Sequence, residues 1–541
     1  MDQKLMLLGD EAIAQAAIDA GMSGIYAYPG TPSTEITEYV MQSKEARSGQ
    51  IRAGWSTNEK TAMESALGMS YTGKRAMVCM KHVGLNVAAD PFINSAITGA
   101  NGGLIVVSAD DPSMHSSQNE QDSRVLGKFA LMPVLEPTNQ QNAYDMVHYG
   151  FEMSEKLGVP VLMRITTRLA HSRAGVTRKE SRKQNEINLP KDPGQFILLP
   201  AIARRQYKEL LKKQDVFESW SLTSGFNVFT DGDNKSLGII TTGIAHNYLL
   251  ENYPDRHIPY PVLKVAQYPV PKALVEKIYN SCDAILVLEE GYPILEESLR
   301  GFLNLGKTIH GRLDGTVPRD GELNPNIVAV ALGMEDTHGK AIPSIVASRP
   351  PSLCKGCPHI YSYNALNEAL NKWNKGRVFS DIGCYTLGAL DPFDAINTCV
   401  DMGASITMAK GAADAGLLPA VAVIGDSTFA HSGITGLIDC VKDKSQVTIM
   451  ILDNETTAMT GGQDSSAFGR IEDICAGVGV SKDHIFVLNP SPKYHQENLA
   501  ILKQELNYQG VSVIIPRREC IQTALKHIKE NKKAESVPSE N

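Results

Sequence analysis

Residues 420–462, AVAVIGDSTFAHSGITGLIDCVKDKSQVTIMILDNETTAMTGG, constrain the fold more than any other stretch of the chain. An apolar run ends in Gly425-Asp426-Ser427, a helical stretch follows, and a second apolar run ends in Asp453-Asn454, with Asn454 28 residues beyond Asp426. Short apolar strands joined by a helix-length crossover are neighbours in a parallel sheet. Their carboxyl ends open on one edge, where α/β sheets bind ligands. The Asp426 carboxylate, the Asn454 amide oxygen and a backbone carbonyl at Thr456 would there be oxygen ligands for Mg²⁺, an ion that usually also takes substrate phosphate oxygens. A metal-bound diphosphate is the expected occupant. Gly-Asp-Ser alone is a common turn and Asp-Asn a common strand end, so the specificity lies in the pair and its spacing.

The same alternation runs through the rest of the chain. GIYAYP, RAMVCM, GGLIVVSA and VPVLMRI are strand-like runs within residues 1–182, with a helical stretch near 59–73; LGIITTG, PVLKVAQYPVP and AILVLEE fall within 236–345; VSVIIPR closes a third segment, 346–525. The expected fold class is α/β, with three doubly wound domains. Residues 183–235, polar and rich in Lys, Arg and Gln, are expected to be a linker or surface excursion, and 526–541 a disordered tail. At 541 residues the chain has room for three or four domains of roughly 100–200 residues each. Lys plus Arg is 52 against 60 for Asp plus Glu, a formal charge of -8, which disfavours nucleic acid and anionic membrane surfaces as partners. No signal peptide is evident at the N-terminus, and no apolar run approaches the roughly 18 residues of a membrane span, so a cytoplasmic protein is expected.

Nine cysteines, at 79, 282, 354, 357, 384, 399, 440, 475 and 520, are an odd number in such a chain and argue against a disulfide framework. Seven of the nine lie after residue 350. Cys354-x-x-Cys357 alone is a weak metal signal, because a structural zinc would need a second pair at similar spacing.

The 420–462 stretch resembles the binding motif of thiamine diphosphate enzymes, which begins Gly-Asp-Gly and closes with Asn-Asn after about this interval. Here Ser427 replaces Gly and Asp453 replaces Asn, while Asp426 and Asn454 keep the metal-binding positions. The resemblance implies a fold of pyrimidine-binding, transketolase C-terminal-like and diphosphate-binding domains, in that order. It also implies that Gly425, Asp426, Ser427 and Asn454 bind the cofactor. In DMGASITMAKGAADAG (401–416), Met402 before Gly403 would hold thiamine diphosphate bent, its 4′-amino group toward C2 of the thiazolium. Such an enzyme needs a carboxylic acid against N1′ of the aminopyrimidine, and in STNEKTAMESALGMSYTGKR (56–75) Glu59 matches that position; Glu64 is the competitor.

YPGTPSTEI (28–36), KHVGLNVAAD (81–90), ADDPSMHSSQNEQDSR (109–124), CKGCPH (354–359), DIGCYTLGALDP (381–392) and RREC (517–520) together resemble the large, thiamine-binding subunits of indolepyruvate:ferredoxin oxidoreductases. That family implies oxidative decarboxylation of an aryl-pyruvate with coenzyme A to an acyl-CoA, CO₂ and two low-potential electrons. Thr31 and Arg124 match positions that hold the keto-acid carboxylate in related enzymes; Arg suits such a clamp, although an ion-pair role is open to it too. His82 and His115 would line the site. Related 2-oxoacid oxidoreductases hold a proximal iron-sulfur cluster with a C-x-x-C, a Gly-Cys some 25 residues later and a Cys after the last strand. Carried over, Cys354, Cys357, Cys384 and Cys520 would bind one [4Fe-4S] cluster, and the other five cysteines would be buried bystanders. The resemblance further implies Mg²⁺, a homodimer core, a smaller β subunit, and ferredoxin or a ferredoxin-like subunit as electron acceptor. Full-length relatives usually continue past RREC into a ferredoxin-like domain, which this chain lacks. A non-oxidative thiamine diphosphate-dependent decarboxylase or ligase, or a non-catalytic subunit, are the alternatives.

Overall fold

The computed structural model describes residues 4–190, 195–196, 198, 200–301, 307–318, 321–335, 343–347, 351–398, 402–414 and 416–535. Cys399, Asp401, parts of the linker (191–194) and of the Pro-rich join (348–350) lie outside them. The chain is α/β throughout and divides into two compact units, residues 1–341 and 342–541. No helix among the described residues is long and apolar enough to cross a membrane.

The first unit carries two main sheets. One has seven strands in the order Gln267–Tyr268, Val134–Leu135, Val161–Thr166, Leu104–Asp110, Ala76–Lys81, Gly24–Ala27, Arg52–Trp55, parallel except for the first pairing. Its central strands are buried on both faces, as continuous apolar runs such as LIVV require when helices cover each side. The helices start at polar caps. Asn58 accepts the Thr61 N–H at 2.9 Å ahead of Glu59–Tyr71, and Asn139 the Asn142 N–H at 2.8 Å ahead of Gln140–Leu157. The second sheet runs Thr308–His310, Ala284–Leu288, Leu237–Thr242, Val262–Val265, with Val228–Thr230 antiparallel at the edge. One residue after Val265 the chain enters the first sheet at Gln267–Tyr268, so a single strand-to-strand step joins the two.

Beside that step lies a buried ion network. Arg164 donates to Asp110 (2.8 Å), Glu136 (2.5 Å) and the Glu290 carbonyl (2.9 Å). Arg124 donates to Asp122 (2.6 Å), Glu289 (3.2 Å), Tyr268 (3.0 Å) and the Tyr292 carbonyl (3.0 Å). Burial would raise Asp122, but the two guanidiniums hold it at about 2, whereas burial pushes Glu289 up to about 7.

The second unit is built on a five-stranded parallel sheet in the order Val378–Ser380, Ala420–Gly425, Val447–Leu452, Val511–Pro516, Ile485–Leu488. Ala420–Gly425 and Val447–Leu452 are direct neighbours, and every residue of both is buried.

Two segments depart from expectation. Within the presumed linker 183–235, Pro200–Thr223 is a 24-residue helix and Val228–Thr230 a strand. The helix buries only Leu210, Phe217 and Ser221, a stripe so narrow that its composition resembles that of a loop. Within the presumed disordered tail 526–541, the described residues 526–535 continue the helix Ile521–Glu535, in which Lys, Glu and Ala are good helix formers.

An Arg164→Leu substitution strands the Asp110 and Glu136 carboxylates in the interior. Denaturant unfolding is expected to show about 3–5 kcal/mol of lost stability, the cost of breaking a buried pair from one side.

Candidate active site

In the second unit the two strand ends deliver Asp426 and Asn454, both buried. The Asn454 side-chain amide stands 3.2 Å from Asp426 Oδ1 and 2.8 Å from the Thr456 carbonyl; with its NH₂ turned toward them it donates to both, and with its oxygen turned toward them three acceptors converge. Asp426 Oδ2 is buried without a hydrogen-bond partner. The second orientation is stable only with a cation among the oxygens. Mg²⁺ with bonds of about 2.0–2.1 Å sets neighbouring octahedral ligands ~3 Å apart, which is this spacing. The other end of the amide agrees. Asn454 Nδ2 faces His359 Nε2 at 3.4 Å and Cys384 Sγ at 3.9 Å, and burial pushes His359 down to about 4, so the imidazole is neutral and can accept. Burial, with Asp453 adding to it, pushes Asp426 up to about 7, the behaviour of a carboxylate lacking a counter-charge. The residues present fit Mg²⁺.

Gly403 has φ +95°, and a Cβ there would stand 2.5 Å from the Ser432 Cβ, so only glycine fits. Half-buried Met402 precedes it, and Ser405 two residues later donates to Asp381 at 2.6 Å. Burial pushes Asp381 up to about 6, against hydrogen bonds from Ser405 and Tyr385. A Cβ on Gly425 would meet the Tyr385 ring at 2.6 Å. Ser427 accepts from Thr457 at 2.9 Å, tying the two strand-end loops together. Residues 429–433 form a π-helical turn just beyond, a distortion frequent at functional sites.

Cys354, Cys357, Cys384 and Cys520 come close enough to interact electrostatically. Burial pushes Cys384 up to about 12, with Cys357 and Cys520 adding to it, and burial likewise raises Cys357, with Cys354 and Cys520 adding. The Cys520 N–H donates to the Asn454 carbonyl at 3.1 Å. Among the described residues, the one group of three or more His, Cys, Asp or Glu side chains with ligand atoms within 4.8 Å of one another is elsewhere, at Asp10, Glu35 and His171. The four sulfurs are thus spread wider than the ~3.8 Å edges of a tetrahedral zinc site with Zn–S of about 2.3 Å. Of the other cysteines, Cys79, Cys282, Cys440 and Cys475 are buried.

The first unit carries the remaining candidates. Glu59 opens its helix and is buried, with Gly84 so close that a Cβ there would sit 2.5 Å from the carboxylate oxygen. Glu64, one turn on, is exposed and paired with Lys60. Between the two, burial favours Glu59. The Thr31 carbonyl accepts from Ser116 Oγ at 3.2 Å, and Lys81 donates to the Ser116 carbonyl at 2.6 Å. Burial lowers Lys81 to about 8, against the pull of Asp111. His82 is buried, Nε2 at 3.2 Å from Asn119 Oδ1 and Nδ1 without a hydrogen-bond partner. His115 is half exposed, 3.2 Å from Glu322.

Arg124 takes up the ion-pair role that the sequence left open beside the clamp. Instead of an open carboxylate clamp it is a buried tie in the ion network, all three guanidinium nitrogens directed at protein acceptors. It stands between two sheets, where its charge offsets a surplus of acids. Asp381, His359 and Lys81 were not singled out from the sequence; Asp381, next to a third strand end, and His359, next to the C-x-x-C, lay beside motifs that were.

A family model described as pyruvate flavodoxin/ferredoxin oxidoreductase, thiamine diphosphate-binding, matches residues 15–204, and one for the C-terminal binding domain of thiamine pyrophosphate enzymes matches 381–485. Indolepyruvate oxidoreductase subunit IorA of Archaeoglobus fulgidus is 38% identical over 96% of this chain and 86% of its own length. The Pyrococcus horikoshii IorA gives the same figures. 2-Oxoglutarate synthase subunit KorA of Methanothermobacter marburgensis is 25% identical over 54% of this chain and 72% of its own. A solved 2-oxoglutarate:ferredoxin oxidoreductase from Magnetococcus marinus shares the fold at TM-score 0.50 and 16% identity, over 61% of this chain and 65% of that one.

An Asp426→Asn substitution removes the charge from the oxygen trio. Retention of thiamine diphosphate with Mg²⁺ through gel filtration is expected to weaken by at least the 10–100-fold that loss of an outer-shell partner costs a metal site.

Proposed function

The chain belongs to the IorA family of indolepyruvate oxidoreductase subunits, and on that footing we propose that it oxidatively decarboxylates aryl-pyruvates of the indolepyruvate type with coenzyme A. As a thiamine diphosphate-dependent 2-oxoacid:ferredoxin oxidoreductase, the enzyme releases CO₂ from the 2-oxoacid. In the proposed reaction the acyl group joins the coenzyme A thiol, whose proton is released, and two electrons leave one at a time through a single [4Fe-4S] cluster. They pass to ferredoxin or a ferredoxin-like subunit, with a smaller β subunit completing a homodimeric core.

The observation that carries the oxidative reading is the position of Asn454. Its side-chain amide lies between Asp426 and Cys384, where its oxygen would join the Mg²⁺ ligands, and its backbone carbonyl takes the Cys520 N–H. One residue thus links the proposed diphosphate anchor to two proposed cluster ligands. A non-oxidative enzyme has no use for that arrangement.

Thiamine diphosphate, when bound, supplies the carbanion chemistry that lets CO₂ depart. Asp426, Asn454 and the Thr456 carbonyl would hold Mg²⁺ and, through it, the diphosphate. Gly425, Ser427 and Gly403 would line the cofactor where backbone approaches closely, and Met402 would support it. Glu59 would hold a proton at N1′ of the aminopyrimidine. Thr31, in the turn after Gly24–Ala27, and His82, which opens the helix His82–Val87 directly after Ala76–Lys81, lie at the carboxyl edge of the first sheet, where a substrate would enter.

Glu59→Gln is expected to lower turnover about 10²–10⁴-fold, the usual worth of a positioned acid or base, while exposed Glu64→Gln stays near the parent. Both are read as 2-oxoacid- and coenzyme A-dependent viologen reduction. Anaerobically purified protein is expected to hold about four irons per chain, and Cys520→Ser to lose them where Cys440→Ser does not. Aldehyde formation by iron-free protein would instead establish the non-oxidative alternative.

A further inference from the structure

A second cluster of ionisable groups lies in the first unit, apart from every residue placed in the reaction above. Asp10 sits in the first turn of the helix Gly9–Asp19, Glu35 in the first turn of Thr34–Gln42, and His171 at the end of Thr167–His171. One ligand atom from each lies within 4.8 Å of the others, and His171 Nε2 is 3.6 Å from Glu35 Oε1. Asp10 is fully buried, and neither of its carboxylate oxygens has a hydrogen-bond partner; Glu35 Oε2 is buried without one as well. Interiors rarely leave a carboxylate in this condition, because each unpaired oxygen forfeits its hydration for nothing.

A proton can relieve part of the conflict. Burial and the Glu35 charge raise Asp10, and Glu35 in turn raises His171, so a neutral Asp10 beside a charged His171 is one way to fill the cluster. A proton shared in a hydrogen bond between Asp10 and Glu35 satisfies one oxygen of each and leaves the second Asp10 oxygen without a partner. A cation engages both carboxylates and the imidazole at once.

We propose that Asp10, Glu35 and His171 bind one divalent transition-metal ion of the zinc class. The imidazole argues against Mg²⁺ and Ca²⁺, which prefer all-oxygen shells. Tetrahedral Zn²⁺ with bonds of about 2.0–2.1 Å puts neighbouring ligands ~3.4 Å apart, close to the His171–Glu35 separation. Three protein ligands leave a fourth position for water, and the Glu35 and His171 side chains, 37% and 36% exposed, give an ion access. The ion ties three helices behind the rim that carries Thr31. Glu35 follows Thr31 by four residues, and the His171 helix donates from Thr167 to Asp111 at 2.8 Å, the carboxylate that also holds the Ser116 N–H at 2.8 Å.

The test is zinc uptake by the anaerobically purified holoprotein, dialysed against Zn²⁺ with excess Mg²⁺ and analysed by elemental mass spectrometry. The parent and the exposed-site control Glu64→Gln should hold about one zinc more per chain than His171→Ala, whose affinity falls by more than about 10–100-fold. Zinc should raise the melting temperature of the parent and not of His171→Ala or Asp10→Asn. His171 is partly exposed, so its variant is expected to fold, checked by circular dichroism and retained iron. Equal zinc content in parent and His171→Ala would overturn the proposal. So would an Asp10→Asn variant more stable than the parent with or without zinc, the mark of a cluster filled only by protons.

Discussion

Oxygens that carry full or partial negative charge do not settle within about 3 Å of one another in a protein interior unless something positive sits among them. At the ends of two adjacent parallel strands this chain brings the Asn454 amide to 3.2 Å from Asp426 and 2.8 Å from the Thr456 carbonyl, where its NH₂ donates to both in the empty site and its oxygen can face them only around a cation. Much of the second unit is arranged around the consequence. Apolar strands such as AVAVIG and VTIMIL bury both faces of the sheet and fix their carboxyl ends side by side. Glycines at 403 and 425 clear the approach, and Ser405 braces the Gly403 loop against Asp381. His359 Nε2 lies 3.4 Å from the Asn454 amide, and as a neutral imidazole it can accept from that NH₂ when the oxygen faces Asp426.

The first unit solves a different electrostatic problem. Two buried arginines face five buried carboxylates, those of Asp110, Asp122, Glu136, Glu289 and Glu290, where two sheets meet. Charge alone does not balance. Burial raises Asp110, Glu289 and Glu290, while the two guanidiniums lower Asp122. A network of this kind adds little net stability over an apolar seam, but it tolerates no missing member.

Sequence made part of this legible. The strands around GIYA, VVSA, AVAVIG and VTIMIL follow from apolar runs between turn residues, and the Asp426–Asn454 spacing foretold the oxygen trio, because parallel strand ends are fixed by the crossover between them. Glu59 could be placed on a helix but not ranked over Glu64 by burial until the helix had neighbours. Arg124 shows the limit most plainly. Residues 122, 136, 268 and 289 give no sign along the chain that they will surround one guanidinium, so a buried tie and an open clamp look the same. The helix Pro200–Thr223 was missed for a related reason, since three buried positions in 24 leave almost no periodic signal.

Asn454 has one further consequence. Its carbonyl is held by Cys520, its amide rests against Cys384, and its oxygen faces Asp426. If the cysteines hold a cluster and Asp426 a metal, as proposed, the two would share Asn454, and damage to one would disturb the other.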